Sequence, residues 1–165
     1  MTAAEHKPHM GDAVEVGAHT IYLGGTDYIE AGFDPVAGFD VVVPLAEEWL
    51  STFTGLQAQF ELVNQLVLED FAGVPDDWSE RLDAFLLPHL SAGKKVVIFC
   101  KGGHGRTGTV LSSLIARLEP SIDDPILAAR ERYCQYCVET QSQAEAIFAL
   151  KKQNLPDFYF GTFLF

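Results

Sequence analysis

The sequence VVIFCKGGHGRTGTVLSSLIARL, residues Val96 to Leu118, carries the strongest structural signal of this chain. Its first four residues are β-branched or aromatic, which predicts a buried strand over Val96–Phe99. A short loop with three glycines follows, and helical spacing of apolar residues predicts a helix from Thr107 to Leu118. In this order of elements, the loop amides and the positive end of the helix face one spot. The stretch therefore predicts an anion-binding site.

Two reactive side chains frame the glycine loop, defined here as Cys100–Gly105. Cys100 ends the predicted strand, and Arg106 directly follows the loop. The positive field that attracts an anion also favours thiolate over thiol, which makes a cysteine nucleophilic at neutral pH. The planar guanidinium of Arg106 can hold two phosphate oxygens at once. The pair predicts attack by sulfur on a bound phosphate ester, and the alternative is an inert buried cysteine.

The charge of the chain is unevenly distributed. The 165 residues carry a net charge of −12, which disfavours binding to nucleic acid and stable binding to anionic membranes. The window Ala84–Leu118 holds five Lys or Arg and no acid, whereas the other residues, with six Lys or Arg and 23 Asp or Glu, carry −17. Because the glycine loop lies inside this window, the charge pattern agrees with an anion pocket.

Length and composition favour one globular domain. We expect a flexible N-terminus over residues 1–12 and a single catalytic domain over residues 13–165. Three cysteines are few and odd in number, which argues against a disulfide framework. The N-terminus shows no basic region followed by an apolar one, and no apolar run could span a bilayer, so we expect a cytoplasmic protein.

Short apolar strands alternate with helical patterns along the chain. This alternation predicts an α/β fold with a central, mostly parallel sheet flanked by helices, and with the Cys-x5-Arg loop between a strand and a helix. The further predicted strands are His19–Leu23, Val41–Val43 and Gln65–Glu69. The predicted helices are Leu56–Asn64, one opened by a capping box at Asp77 and running to Leu90 with a kink at Pro88, one from Asp124–Pro125 to Cys134, and one opened by a Thr140–Gln143 capping box and running to Lys152.

With these motifs in place, the chain resembles the cysteine-based protein tyrosine phosphatases, of the compact type that includes the dual-specificity enzymes. The resemblance covers roughly residues 20–150 and keeps the order of the family's segments, which are Ile21–Gly25, Phe39–Leu45, Asp70–Pro75, Cys100–Gly108 and Val138–Gln143. The acid loop lies about thirty residues before the cysteine loop, which fits this class. Low-molecular-weight phosphatases and arsenate reductases share Cys-x5-Arg but carry it near the N-terminus.

The resemblance implies a phosphomonoester hydrolase that acts through a phosphocysteine intermediate on phosphotyrosine, and also on phosphoserine or phosphothreonine. It implies that Cys100 is the nucleophile, that Arg106 binds phosphate and that Asp70 is general acid and then base. It further implies that Thr107 stabilises the departing thiolate and that Gln143 orients the hydrolytic water. The amides around the phosphate would come from Lys101, Gly102, Gly103, His104 and Gly105. No metal or cofactor is implied, because Arg106 and the amides supply the electrostatic stabilisation.

Some of these assignments have rivals in the sequence. Asp76 and Asp77 are alternative acids to Asp70, although Asp77 also heads a capping box. Gln143 also has a structural explanation as the capping-box partner of Thr140.

The cysteines outside the glycine loop and the aromatic C-terminus have structural explanations. Cys134 and Cys137 form a Cys-x-x-Cys pair, but no second ligand pair accompanies it, so we expect core thiols and no zinc site. Oxidative pairing with Cys100 is the lesser alternative. The segment 158–165 is rich in aromatic residues, and we expect it to pack back on the body rather than to form a partner surface.

Three residues in or beside the glycine loop leave the substrate open. Phe99 stands where the family usually has a histidine that orders the loop, so the resemblance implies slower turnover than is typical. Lys101 and His104 add basic groups, which favours a phosphoinositide or inositol phosphate as the alternative substrate class, with nucleotide or RNA phosphate a third. His104 could equally be a solvated residue at the rim.

A module of another class, which binds phosphate without turnover, is a further alternative. The expected partner is a phosphorylated protein or small phosphoester, and the oligomeric state is open.

Overall fold

The computed structural model describes residues 8–47 and 60–163, and in these ranges the chain forms one five-stranded sheet of order β1-β2-β5-β3-β4. The strands are β1 (Met10–Val16), β2 (His19–Gly25), β3 (Val41–Pro44), β4 (Glu61–Leu62) and β5 (Val96–Cys100). Only β1 is antiparallel to its neighbour in the described sheet, whereas the β2–β5, β5–β3 and β3–β4 pairs are parallel. The predicted mostly parallel α/β sheet is confirmed.

The longest described helix lies at the centre of the fold. The α-helices of the described ranges are α1 (Trp78–Phe85), α2 (Leu87–Ser91), α3 (Gly105–Leu118), α4 (Pro125–Arg132) and α5 (Gln141–Ala149), and short 3-10 helices span Thr26–Tyr28 and Asp157–Tyr159. Every residue of α3 from Gly105 to Ala116 is buried. A helix that is buried all round is held by its neighbours on every side, so α3 fixes the end of the glycine loop rigidly.

Each face of the sheet carries its own core. The larger core joins one sheet face, including Ile98 and Cys100, to side chains of the helices. The smaller core lies on the other face and contains Val42, Val97 and Phe99 together with Phe33 and Phe60. Because successive side chains of a strand alternate between faces, Cys100 and Phe99 lie on opposite sides of the sheet.

Most predicted elements that carry a strong local signal are confirmed. The strands predicted at His19–Leu23, Val41–Val43 and Val96–Phe99 correspond to β2, β3 and β5, and the helix predicted after the glycine loop is α3. The Asp124 carboxylate accepts hydrogen bonds from the N–H groups of Ile126 and Leu127 at 3.0 and 2.9 Å, as a helix N-cap does. Thr140 and Gln143 form the predicted capping box at the start of α5.

Two predicted elements between β3 and α1 are wrong. Residues 60–64 are not helical, because Glu61–Leu62 forms β4 beside β3, and residues 56–59 of that predicted helix lie outside the described residues. The predicted strand Gln65–Glu69 has no strand pairing. Instead, the Leu68 N–H donates to the Leu45 carbonyl at 2.9 Å, and Arg81 and Arg106 donate to the carbonyls of Gln65 and Leu68, so isolated long-range bonds fix this segment.

The start and the end of α1 also differ in detail from the predicted helix. Asp77 precedes α1 but makes no side-chain cap, because its carboxylate accepts a hydrogen bond from Arg81 Nε at 2.8 Å. The helix predicted to continue to Leu90 is interrupted at Leu86, and Pro88 lies in the first turn of α2. Proline lacks the N–H that a continuous helix would need there, which explains the break before the expected kink.

Residues 9–12, which belong to the segment expected to be flexible, take part in the sheet or bond to it. Residues 10–12 fall in the segment 1–12 that is expected to be flexible, but they are the first residues of β1 and pair with β2. His9 is only 3% exposed, and its carbonyl accepts the Gly25 N–H at 3.1 Å. The edge pairing with β2 supplies the order that local sequence signals did not indicate.

The parallel strands end together at one edge of the sheet. Gly25 of β2 pairs with Cys100 of β5, and Pro44 of β3 pairs with Phe99. A Cβ added at Gly25 would lie 2.7 Å from backbone atoms of Gly102 and Gly103, so only glycine allows the glycine loop to pack this closely. The carboxyl edge of a parallel sheet is where ligands bind in such folds, which makes this edge the candidate site.

The described part of the aromatic C-terminus is divided between the core and the surface. Tyr159 is buried and packs with Phe148 and Phe163 against the larger core, as expected. Phe158 and Phe160 are 66% and 52% exposed, so the segment does not pack back completely.

Among the described helices, none is long and apolar enough to cross a membrane.

Candidate active site

Cys100 and Thr107 are brought together across the glycine loop. Cys100 is the last residue of β5, and Thr107 lies in the first turn of α3. The Thr107 hydroxyl donates a hydrogen bond to Cys100 Sγ at 3.0 Å, and both side chains are buried. A hydroxyl donor and a helix N-terminus next to sulfur both stabilise a thiolate relative to a thiol. The arrangement suits a cysteine that attacks and later departs.

Arg106 and Asp70 belong to different segments of the chain and lie next to each other in the fold. Arg106 is 6% exposed, and its Nη1 donates to the Leu68 carbonyl at 3.4 Å. Its Nε lies 3.6 Å from Asp70 Oδ1, whereas half of the Asp70 side chain remains open to solvent. The guanidinium is therefore held by the protein, and the carboxyl group is placed at the mouth of the site.

A small pocket joins these groups. It has a volume of about 140 Å³ and is lined by Asp27, Asp70, Phe71, Cys100, Lys101, Gly102, His104, Gly105, Arg106 and Glu139. Of the three acids that the sequence offers, Asp70 lines the pocket and the described residues Asp76 and Asp77 do not. Phe71, next to Asp70, adopts a φ of +57°, a conformation that a bulky residue rarely takes and that is common at functional sites.

The glycine loop turns sharply around the pocket. Gly103 has a φ of +76°, and a Cβ there would lie 3.0 Å from the backbone of Gly24. The Tyr133 hydroxyl donates to the Gly103 carbonyl at 2.6 Å, and burial raises the pKa of Tyr133 far above its usual value, so the donor keeps its proton. Tyr133 is thus a positioning residue that no sequence motif indicated.

Acidic side chains surround a loop that looks purely basic in the sequence. Lys101 Nζ forms an ion pair with Asp27 Oδ1 at 2.8 Å, and the Asp27 N–H donates to the Lys101 carbonyl at 2.9 Å. Asp27, Asp70 and Glu139 all line the pocket. The fold therefore places three carboxyl groups beside the acid-free window of the sequence, which the charge pattern along the chain could not reveal.

Glu139 is the acid that the sequence did not single out, although it lies in the segment noted for Gln143. Desolvation by burial and the charge of Asp70 raise the pKa of Glu139. The Gly105 N–H and Arg106 oppose this shift, but the pKa remains above its usual value. A Cβ at Gly105 would lie 2.4 Å from Glu139 Oε1, which shows how closely this carboxyl group covers the start of α3. Glu139 therefore lies where a bound anion would compete with it for the Gly105 amide.

Gln143 is next to this acid but not among the pocket residues. Its Oε1 accepts the N–H groups of Glu139 and Thr140 at 2.9 and 3.3 Å, and its own N–H donates to the Thr140 hydroxyl at 3.1 Å. The side chain is 1% exposed. Its oxygen is thus occupied in the capping box that the sequence predicts.

The two remaining cysteines are buried thiols, as expected. Cys137 is fully buried, its Sγ lies 2.9 Å from where a Cβ on Gly108 would stand, and burial raises its pKa to about 12. Cys134 is 5% exposed and its Sγ lies 3.4 Å from His104 Nδ1. All three cysteines are free, with no disulfide among them.

A larger cleft adjoins the small pocket and shares His104 and Glu139 with it. The cleft has a volume of about 460 Å³, and its further lining residues are Arg130, Gln135, Tyr136, Val138, Thr162 and Phe163. Arg130 donates to the carbonyls of Cys137 and Val138 at 3.0 and 3.2 Å, so its guanidinium is already engaged in holding the cleft wall. The cleft extends the small pocket toward the aromatic side chains of Tyr136 and Phe163.

Comparison with known proteins identifies a family and two relatives. Residues 36–154 match the family described as PTP-SAK, Swiss Army Knife protein, DSP-PTPase phosphatase domain. The uncharacterized protein MJ0215 of Methanocaldococcus jannaschii is 39% identical over 125 residues, which are 73% of this chain and 74% of that protein. The uncharacterized protein MJECL20 of the same organism is 42% identical over 90 residues, and this match spans 53% of this chain and 58% of that protein.

Solved structures share the fold at low sequence identity. Tk-PTP in its active form superposes with a TM-score of 0.65 at 21% identity and covers 86% of this chain and 97% of its own. PTPMT1 in complex with PI(5)P gives 0.63 at 18%, covering 86% and 96%. Cydia pomonella PTP-2 phosphatase gives 0.53 at 20%, covering 87% and 89%. The chain belongs to the PTP-SAK family of DSP-PTPase phosphatase domains, within the compact cysteine-based phosphatases.

Proposed function

We propose that this chain hydrolyses phosphate monoesters through a phosphocysteine intermediate, with phosphotyrosine in proteins as its main substrate. One observation carries the proposal. Cys100 Sγ accepts the Thr107 hydroxyl at 3.0 Å inside a pocket that also holds Arg106 and Asp70. The pocket is large enough for one small anion. Around it lie the proposed nucleophile, the donor to the departing thiolate, the group that holds the phosphate oxygens, and the acid.

In the first step, the Cys100 thiolate attacks phosphorus and the bond from phosphorus to the ester oxygen breaks. Arg106 and the amides of the glycine loop hold the three equatorial oxygens, on which negative charge is spread in the transition state. Asp70, at the solvent side of the pocket, gives its proton to the departing oxygen. The products of this step are the free alcohol and phosphocysteine.

In the second step, water attacks the phosphocysteine and the S–P bond breaks. Asp70, now a carboxylate, takes the proton from water, and the Thr107 hydroxyl stabilises the thiolate that leaves. Because the Gln143 oxygen binds the Glu139 N–H at 2.9 Å, we expect Gln143 to influence the water through the position of Glu139. Inorganic phosphate then dissociates.

The surroundings of the pocket favour an aryl phosphate over a polyanionic head group. Asp27, Asp70 and Glu139 repel additional phosphate groups, and Lys101 is already paired with Asp27. The adjoining cleft, with Tyr136 and Phe163, offers apolar surface for the residue next to a phosphotyrosine. PTPMT1 shares this fold and has been solved in complex with PI(5)P. A phosphoinositide is therefore the second candidate substrate.

The proposed setting is the cytoplasm, with a phosphorylated protein as partner. The three cysteines are free and buried, which agrees with a reducing compartment.

The decisive experiment compares the wild type with Cys100→Ser on para-nitrophenyl phosphate. We expect turnover by the wild type only, with a mass increase of one phosphoryl group on Cys100 when the reaction is quenched in acid. Cys137→Ser is the matched control, since it removes a buried thiol outside the pocket, and it should retain activity if it remains folded by circular dichroism. A wild type that binds a phosphopeptide without turnover would instead establish a phosphate-binding module.

A substrate panel tests the preferred class. Peptides with phosphotyrosine, phosphoserine and phosphothreonine are compared with vesicles that contain PI(5)P and with inositol phosphates. We expect the highest kcat/KM for phosphotyrosine, followed by the phosphoserine and phosphothreonine peptides. A higher kcat/KM for the inositol lipids, with Cys100→Ser inactive on them, would keep the mechanism and replace the substrate.

A further inference from the structure

Three potential metal ligands from distant parts of the chain meet at the glycine loop. His9 precedes β1, His104 belongs to the glycine loop and Cys134 follows α4. One ligand atom from each of these residues lies within 4.8 Å of the others, in a search over the described residues. The Cys-x-x-Cys pair alone predicted no metal because the sequence shows no second ligand pair beside it. The fold supplies two imidazoles to Cys134 instead.

The residue types and spacing fit a transition-metal ion. Imidazole nitrogen and thiolate sulfur are the ligands that zinc prefers, at about 2.0 and 2.3 Å from the ion. In a tetrahedral site these bond lengths place nitrogen and sulfur ~3.6 Å apart. His104 Nδ1 and Cys134 Sγ are 3.4 Å apart, so this pair already has the required separation. His9 offers the third ligand atom within 4.8 Å, and it completes a three-ligand set when its side chain moves toward the other two.

Groups around the cluster orient two of the ligands. His9 Nδ1 lies 3.2 Å from Asp12 Oδ2, and a carboxylate on one ring nitrogen turns the other nitrogen, Nε2, toward an ion. The Tyr136 N–H donates to Cys134 Sγ at 3.4 Å, which helps to fix the position of the sulfur. Metal sites regularly have such contacts to the ligands. Three side chains that met by chance would not need them.

Burial and aromatic rings shield two of the three ligands, whereas His104 is half-buried and lines both the pocket and the cleft. His9 and Cys134 are 3% and 5% exposed. The Tyr133 ring lies 4.4 Å from the His9 ring, and the Tyr136 ring lies 5.7 Å from the His104 ring, measured between centroids. A site shielded in this way strengthens the attraction between a cation and its ligands.

We propose that His9, His104 and Cys134 bind a divalent transition-metal ion of the zinc type, with water in the fourth position. Three protein ligands and one open position are typical of zinc sites that are not purely structural. The site is distinct from the phosphate pocket, although His104 belongs to both surroundings. Its existence does not depend on the proposed phosphatase activity. An ion there would tie the segment before β1 to the glycine loop.

The test uses Co²⁺ as a spectroscopic probe in a Cys100→Ser background, which removes the thiolate of the phosphate pocket as a competing ligand. We expect one Co²⁺ per chain, with a sulfur-to-cobalt charge-transfer band and the intense visible bands of a tetrahedral site. Addition of Cys134→Ser should abolish the charge-transfer band. His9→Ala should weaken binding at least about 10-fold, as loss of even an outer contact does.

Two matched controls separate this site from adventitious binding. Cys137→Ser and His19→Ala remove a cysteine and a histidine outside the cluster and should leave both band and affinity unchanged. Zn²⁺ should raise the melting temperature of the parent protein, because a ligand that binds only the folded state stabilises it. His9→Ala should lose this rise even if Cys134→Ser does not fold. Absence of stoichiometric Co²⁺ binding, or a charge-transfer band that persists without Cys134, would overturn the proposal.

Discussion

The glycine-loop segment (Val96–Leu118) and the acid segment (Phe60–Asp77) meet at one pocket but are held in place differently. In the former, β5 is paired on both sides and α3 is buried from Gly105 to Ala116. In the latter, β4 is two residues long, and single backbone bonds such as Leu68 N–H to the Leu45 carbonyl fix the chain.

This difference agrees with the chemistry that we propose for each segment. A nucleophile and an oxyanion clamp must be held rigidly, because small displacements of either weaken transition-state stabilisation. An acid that serves both the leaving group and water can lie on a segment with fewer contacts, and the Asp70 side chain is half exposed. We therefore expect substitutions in the two segments to affect the reaction in different ways.

The largest expected effect comes from Arg106→Lys in the glycine-loop segment. A lysine ammonium cannot replace the fork of two N–H groups, so kcat/KM for para-nitrophenyl phosphate should fall by roughly 10³-fold. Arg117→Lys is the control, since Arg117 lies in the same helix but bonds to Asp83 at 2.6 Å, away from the pocket. A loss below about 10-fold for Arg106→Lys would contradict the assigned clamp.

The acid segment is tested by Asp70→Asn. Loss of a general acid should lower the rate by about 10²- to 10³-fold for an alkyl phosphate and much less for an aryl phosphate with a good leaving group. Steady-state kinetics with both substrates measure this contrast. Asp77→Asn removes a carboxylate that bonds to Arg81 and should leave both rates nearly unchanged. Equal losses on the two substrates for Asp70→Asn would transfer the role to Asp76 or Asp77.

Gly25→Ala tests whether β2 supports the glycine loop. The added methyl group would lie 2.7 Å from the loop backbone, so we expect the free energy of unfolding to fall by about 1–3 kcal/mol and kcat to fall as well. Gly38→Ala adds a methyl group in open space at a φ of +79° and should lower stability without affecting kcat. Urea unfolding and initial rates measure the two quantities. Unchanged kcat in Gly25→Ala would show that the loop adjusts freely.

The smallest effect is expected from Glu139→Gln, measured as inhibition by sulfate. At pH 8 the Glu139 carboxylate repels the anion, and its removal should tighten inhibition about 5-fold, which corresponds to about 1 kcal/mol of Coulomb energy. Because burial raises the pKa of Glu139, the wild type gains a proton there as the pH falls. The two proteins should therefore converge as the pH is lowered, and the convergence should begin above the usual titration range of a glutamate. A constant ratio over the whole pH range would contradict this explanation.

Local sequence signals predicted one part of the molecule well. The apolar run of β5, the glycines of the loop and the helical period of α3 lie within 23 consecutive residues, and each gives a strong signal in the local sequence. The same holds for the caps at Asp124 and Thr140, whose hydrogen bonds reach only two or three residues along the chain. Such short-range physics can be predicted from the residues alone.

Long-range pairing explains the errors. β1 and β4 are strands because β2 and β3 offer them hydrogen-bonding edges, and neither has a strong pattern of its own. The apolar residues around Leu66 are buried without strand pairing, which a pattern of hydrophobicity cannot distinguish from a strand. Gln143 likewise lies in the predicted capping box, but its distance from the phosphate pocket depends on where α5 packs.

The strand, loop and helix with Cys100, Arg106 and Thr107 can be predicted from the residues alone, because the chemistry and the local geometry lie in one continuous stretch. The meeting of Asp70 with Arg106, and the acidic surroundings that Asp27 and Glu139 give the loop, depend on how the chain is packed. So does the approach of His9 and His104 to Cys134. The physical reason is that charge and coordination act through distances in space, and residues far apart in sequence approach each other only when the sheet edge and the helices around α3 are packed.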